Sequence, residues 1–230
     1  MGTQKRFEGY LGWHIVIGLF VFVATTFLLA AIADEVIQGR PLTVMDAEFS
    51  AWLQTTRTPA RLNAMRYVTW LGSTVVASSI TTVVGIYLLL SRRRYWFAAL
   101  VLSVAGGAIL NRLLKSAFQR ARPQLDDPIF TFTGFSFPSG HTLTATVVYG
   151  CLAALIVANT KNQAVRVIAI LSASLLIALV AFSRIYLGAH YLTDVLGAIA
   201  EGLAWLSLCF TLVYSLWRPR NLENPRELAN

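Results

Sequence analysis

Ionisable side chains are what this chain has least of. Asp, Glu, Lys and Arg together make up 13% of its 230 residues, against 56% hydrophobic, and the mean hydropathy is +0.61. A typical soluble domain carries about 25% charged residues, so that class is excluded and a membrane protein is expected. Cysteine is nearly absent. Cys151 and Cys209 both fall within apolar runs, which excludes a disulfide framework or thiolate metal site in favour of two small buried side chains. Carboxylates form no cluster that could ligate a metal, so neither a metal nor a cofactor is expected. There is no internal repeat, low-complexity segment or dividing linker, and residues 1–230 read as a single domain. Histidine occurs only three times, as His14, His141 and His190.

What is abundant is long apolar sequence. A hydrocarbon core about 30 Å thick needs about 20 apolar residues per helix, and six windows of that order occur: 11–33, 68–90, 95–114, 142–158, 167–187 and 195–217. The expected fold is all-α, a polytopic membrane protein with six transmembrane helices in one bundle. The first window is too long for a secretory signal, and DEVIQGR follows it instead of a small-residue cleavage site. It is read as an uncleaved span. The segment PLTVMDAEFSAWLQTTRTPARLNAMR, after the first span, is too polar to cross. Its apolar residues Val44, Ala47, Phe49, Trp52 and Leu53 recur at loosely helical spacing, so an amphipathic surface helix on the outer leaflet is expected. The tail NLENPRELAN reads as frayed.

Orientation follows from basic residues in short loops. With both termini inside, Lys5, Arg6, Arg92, Arg93, Arg94, Lys161, Arg166, Arg218, Arg220 and Arg226 are cytoplasmic. Arg40, Arg57, Arg61, Arg66, Arg112, Lys115, Arg120, Arg122 and Arg184 are then outside. The raw balance decides little, but the last five flank the histidine-bearing stretches. Set aside as a site, they leave an excess that puts the termini in the cytoplasm. The net charge of +8 is of the kind anionic lipid headgroups select. No nucleic-acid motif accompanies it, so the bilayer, not nucleic acid, is the expected partner.

Three polar stretches interrupt the apolar pattern. In NRLLKSAFQRARP, a continuing third helix would put Arg112, Lys115, Gln119 and Arg122 on one face, a stripe suited to an anion. Snorkelling to headgroup phosphates is the alternative. The pattern favours snorkelling for Arg120, which points off the stripe, and leaves both readings open for Lys115 and Arg122. In FSFPSGHTLTATVVYG, Pro138 stops a helix from entering and Ser139 is a good N-cap. Gly140 lets an anion approach the free backbone N–H groups. His141 then falls in the first turn, where an interfacial histidine is the plainer alternative. In FSRIYLGAHYLTD, Gly188 ends the fifth helix, and His190 and Asp194 stand four apart at the start of the sixth. A carboxylate holding one imidazole nitrogen orients the other as nucleophile or base. The alternative is a buried ion pair joining two helices, against which stands the cost of charge near hydrocarbon. His14 reads as structural. Alternating spans bring all three stretches to one side, the outer one.

The stretches KSAFQRARP (Lys, six residues, Arg-Pro), PSGH, and SRIYLGAHYLTD (Ser-Arg, five residues, His, three residues, Asp) resemble the three motifs of the type 2 phosphatidic acid phosphatase superfamily. Those membrane lipid phosphatases share their site with vanadium haloperoxidases and glucose-6-phosphatase. No motif position departs from the pattern. The resemblance implies a metal-independent lipid phosphate phosphatase in which His190 attacks phosphorus to form a phosphohistidine and Asp194 orients it. His141 would protonate the leaving oxygen and then activate water. Lys115, Arg122, Arg184, Ser139 and the backbone at Gly140 would hold the phosphate.

The expected substrate is a membrane lipid phosphate: undecaprenyl diphosphate or phosphatidylglycerol phosphate first, then phosphatidic acid, diacylglycerol pyrophosphate or lipid A phosphate. The expected location is a bacterial inner membrane with the site facing outward. The rival readings are a lipid phosphotransferase, a non-enzymatic lipid transporter and a soluble vanadate-dependent oxidase, the last opposed by six apolar spans.

Overall fold

A computed structural model describes residues 2–124 and 132–222. The side chain of His14, the segment 125–131 with its Pro128, and the tail from 223 lie outside the described residues. The elements are α1 (Gly2–Gln38), α2 (Pro41–Thr55), α3 (Pro59–Trp70), α4 (Thr74–Leu90), α5 (Arg94–Phe118), α6 (Gly140–Asn159), α7 (Gln163–Tyr186) and α8 (Leu192–Leu222). Six helical stretches are long and apolar enough to cross a membrane: Ile15–Gln38, Pro59–Leu90, Arg94–Phe118, Gly140–Asn159, Gln163–Tyr186 and Leu192–Leu216. The chain is a multi-pass membrane protein.

Local chemistry sets the helix ends. Pro41 and Pro59 begin α2 and α3, where a missing N–H costs nothing. The Thr58 and Ser73 hydroxyls accept from the N–H groups of Arg61 and Val76, both at 3.3 Å, and Asn162 Oδ1 accepts from Ala164 N–H at 2.9 Å. These caps satisfy donors that the first helical turn leaves free.

The segment after the first span is divided. α2 ends at Thr55 and α3 runs on through a short turn into α4, so the second span starts at Pro59 rather than near Val68. α2 exposes Val44 and Trp52 as a surface helix does, but its inner face buries Asp46, Ser50 and Leu53.

α6 and α8 form the centre. α8 packs along α1, α5 and α6, and α6 also packs against α7 and α5. Small residues allow the closest approaches. A Cβ on Gly197 would stand 2.6 Å from the ring of Phe137, and one on Gly72 would stand 2.8 Å from the His141 carbonyl oxygen. Through Gly197 the segment before α6 is seated on α8, with Phe137 fully buried against Ile32, Ala33, Leu29 and Phe118. Cys151 and Cys209 are free and buried.

Candidate active site

The end of α5, the start of α6, the end of α7 and the start of α8 meet at one end of the bundle, the end that carries α2. The predicted helical stripe does not survive. α5 stops at Phe118, and Gln119 takes a left-handed conformation, φ 47°. Arg112 and Gln119 are left exposed, while the reversed chain sends Arg120 and Arg122 inward.

His190 lies in the turn before α8 rather than on the helix. Its Nδ1 is 3.4 Å from Asp194 Oδ2 and 3.4 Å from the Ser136 hydroxyl, and its Nε2 is 3.4 Å from Arg122 Nη1. Burial pushes its pKa down to about 4; Asp194 works against the shift, while Arg184 and Arg122 add to it. The imidazole is therefore neutral at physiological pH, and a proton on Nδ1 leaves the Nε2 lone pair facing the cations.

Asp194, fully buried, is held from several directions. Oδ2 accepts from Tyr191 N–H at 2.9 Å and from the Ser136 hydroxyl in a short bond, and Oδ1 accepts from Arg120 Nη1 at 2.6 Å. Its carbonyl accepts from Ser139 N–H at 3.1 Å, tying the start of α8 to the N-cap of α6. Ser139 is fully buried, and its hydroxyl accepts from Thr142 Oγ1 at 3.0 Å instead of from a backbone N–H of α6. Gly140 opens the helix, and His141, in its first turn, is half-buried and within electrostatic reach of Arg184, His190, Arg122 and Lys115.

Three cations surround this point. Lys115 Nζ donates to the carbonyls of Phe135 at 2.8 Å and Ser136 at 3.3 Å. Arg122 donates to the carbonyls of Gly134, Ala189 and Thr133 at 3.0, 2.7 and 3.1 Å. Burial lowers its pKa, with partial compensation from Asp194. Arg184 is only 5% exposed. Its Nη1 donates to the Thr69 hydroxyl at 3.0 Å, its guanidinium lies 5.2 Å from the Phe132 ring centroid, and its Nε is buried with no hydrogen-bond partner. Among the described residues, none of the three has a carboxylate within salt-bridge distance. Such a group of cations, one buried and two partly buried, calls for an anion.

The structure thus brings together the eight residues that the motif resemblance assigns to the site: Lys115, Arg122, Ser139, Gly140, His141, Arg184, His190 and Asp194. It corrects the snorkelling reading of Arg120, whose guanidinium turns inward to bridge Asp194 and Asp46. It also adds Ser136, Asp46, Asn111 and Glu201. Asn111 Nδ2 donates to Glu201 Oε2 at 2.9 Å and lies 3.5 Å from the Pro138 carbonyl, beneath the PSGH segment. Glu201 was visible in the sequence as the one carboxylate inside the six apolar windows, a position that marks function or a buried partner. Ser136 and Asp46 carried no comparable signal. Among the described residues, no group of three or more His, Cys, Asp or Glu stands together as a metal site.

The profile of the PAP2 superfamily matches residues 96–218. Phosphatidylglycerophosphatase B of Bacillus subtilis (strain 168) is 32% identical over 190 residues, covering 81% of this chain and 89% of that protein. Lipid A 1-phosphatase of Rhizobium etli is 35% identical over 130 residues, 52% of this chain and 51% of that one. The crystal structure of a transmembrane PAP2-type phosphatidylglycerolphosphate phosphatase from Bacillus subtilis superposes with a TM-score of 0.76 at 27% identity, covering 86% of this chain and 96% of that one. With the profile spanning the three motifs, and the similarity to the Bacillus protein running over most of both sequences, the chain belongs to the PAP2 superfamily.

Proposed function

We propose that this PAP2 enzyme, a lipid phosphatase, hydrolyses a phosphomonoester or diphosphate headgroup at the extracytoplasmic face of a bacterial inner membrane, through a phosphohistidine. The observation that carries the reading is the gathering of Lys115, Arg122 and Arg184 about His141 and His190, with Arg122 Nη1 3.4 Å from His190 Nε2 and no carboxylate partner for the three among the described residues. A phosphate would complete that set, as a carboxylate would in a structural ion pair.

In the first step His190 Nε2 forms a bond to phosphorus and the phosphorus–oxygen bond to the lipid breaks. His141 gives its proton to the leaving oxygen. In the second, water attacks phosphorus and loses its proton to His141, the nitrogen–phosphorus bond breaks, and free phosphate departs. Asp194, with Ser136, holds Nδ1 and keeps Nε2 pointed at phosphorus. Lys115, Arg122, Arg184, Ser139 and the α6 N-terminus at Gly140 stabilise the charge on the equatorial oxygens. The residues that hold the phosphate need no metal for this.

Phosphatidylglycerol phosphate heads the substrate order, because phosphatidylglycerophosphatase B of Bacillus subtilis is similar over most of its length. Undecaprenyl diphosphate follows, with phosphatidic acid, diacylglycerol pyrophosphate and lipid A 1-phosphate after it. An outward-facing site is supported by Arg92, Arg93, Arg94, Lys161 and Arg166 at the opposite end of the bundle, since basic residues in short loops favour the cytoplasmic side.

The test is phosphate release from this panel by purified protein in detergent with excess EDTA. Turnover with competitive inhibition by vanadate is expected, and its abolition in His190→Ala. A His190→Ala variant that still turns over would remove the reading. In right-side-out vesicles, release from an added short-chain substrate without permeabilisation is expected; release only after permeabilisation would reverse the orientation.

A further inference from the structure

Asp46 lies on α2, outside all three motifs, yet it is 2% exposed and reaches the catalytic corner. Its Oδ1 accepts from Thr193 N–H at 3.0 Å, and its Oδ2 accepts from Arg120 Nη2 at 2.8 Å and from the Thr193 hydroxyl in a short bond. Each contact meets a need that α8 and Arg120 do not meet themselves. α8 begins at Leu192, and Tyr191 before it, whose backbone carbonyl accepts from Val195 N–H at 3.4 Å, has no short side-chain oxygen to cap the first turn. The Thr193 N–H is one of the donors such an end leaves free, and Asp46 supplies the missing acceptor from another helix. Its negative charge also suits a helix N-terminus.

The Arg120 guanidinium is a rigid planar fork. One arm, Nη1, donates to Asp194 Oδ1 at 2.6 Å and to the Thr193 hydroxyl at 2.7 Å; the other, Nη2, is held by Asp46. The ring of Tyr191 lies 4.3 Å from its central carbon. Burial alone would weaken its charge, but Asp194 and Asp46 raise its pKa above the ordinary value. Fixing Oδ1 of Asp194 decides where Oδ2 points, because the two oxygens rotate as one group. Oδ2 is the oxygen that faces His190 Nδ1.

We propose that Asp46 is a positioning residue for phosphate transfer: through Arg120 and the first turn of α8 it sets the Asp194 carboxylate, and with it the direction of His190. α2 is then a brace for the site as well as a surface helix. The proposal rests on His190 being the nucleophile.

The experiment uses the full chain purified in detergent, with phosphatidylglycerol phosphate as substrate. Single-turnover rate constants are measured with enzyme in excess, so that they do not depend on the fraction of protein that is folded. Asp46→Asn, close in volume but presenting an amide N–H to Arg120, is expected to slow the single-turnover step about tenfold, as small misplacements of reacting groups do, with KM changed less than about twofold. Asp194→Asn is expected to slow it further, and Asp46→Asn added to Asp194→Asn is expected to cost nothing more, because both changes act through one carboxylate. An unchanged single-turnover constant in Asp46→Asn overturns the proposal, as does full additivity in the double variant. Asp46→Glu, which keeps the charge, should recover part of the rate; recovery equal to that of Asp46→Ala would also count against it. His190→Ala run alongside separates the two ideas, since activity in that variant removes the nucleophile assignment itself.

Discussion

Arg120 and Arg122 stand two residues apart and meet opposite electrostatic surroundings. Arg120 is bound by two buried carboxylates, Asp46 and Asp194, and its pKa is raised. Arg122 is bound by backbone carbonyls, shares its pocket with Lys115 and Arg184, and has its pKa lowered, mainly by burial. One corner is a neutralised structural network; the other is a cluster of cations with no carboxylate partner among the described residues. A buried cation that folding leaves unpaired is a cost to stability, and a protein gains from keeping it where a ligand supplies the counter-charge. In stability the two regions should therefore respond oppositely to loss of their arginines.

The largest effect is expected for Arg120→Ala. It strands two carboxylates away from water, and breaking a buried pair in this way costs about 3–5 kcal/mol, read as a large fall in thermal unfolding temperature in detergent. Arg184→Ala should do the reverse. Losing one transition-state donor lowers kcat by about 10²–10³, while the unfolding temperature holds or rises. If both variants lost stability alike, the distinction between the corners would fail.

A smaller effect is expected from giving Arg184 the partner it lacks. Thr69 Oγ1 is 3.0 Å from its Nη1, so Thr69→Asp would place a carboxylate there and make Arg184 resemble Arg120. Activity should fall at least about tenfold, because the new charge repels the incoming phosphate, and vanadate should inhibit less well. Undiminished vanadate inhibition would show that Arg184 does not need to be unpaired.

The smallest effect near neutral pH concerns His190. Its folded pKa is about 4, below the ordinary value of about 6.5, so from pH 6.5 downward the unfolded chain binds a proton that the folded protein refuses. Stability should fall as pH drops through that interval and stop falling on this account below about 4. His190→Gln should flatten the slope between the two values, which unfolding at a series of pH values would read.

The candidate site was largely legible in the sequence because its members are chemically conspicuous in an apolar chain. Histidines, arginines and a carboxylate between hydrophobic runs have few reasons to be there, and alternating spans put them at one end. The helical stripe failed at one backbone position. Periodicity assumed that α5 continued, and a left-handed Gln119 ended it, turning Arg120 from a residue off the stripe into the partner of Asp194. Asp46 was hidden for a different reason. In PLTVMDAEFSAWL both acids, Asp46 and Glu48, read as solvated on an amphipathic helix, and only the packing of α2 against α8 shows that Asp46 is buried.

By itself, then, the sequence determined the six spans, the end of the bundle where the polar stretches gather, and the identities of the groups proposed to face a phosphate. Hydropathy, helix-terminating residues and motif spacing are local properties and can be read locally. Tertiary structure alone decided which cations are neutralised and which are left for an anion. That depends on pairing between α2, the chain after α5 and α8, segments up to 148 positions apart from Asp46 to Asp194, and no local pattern reports how such distant side chains share their charges.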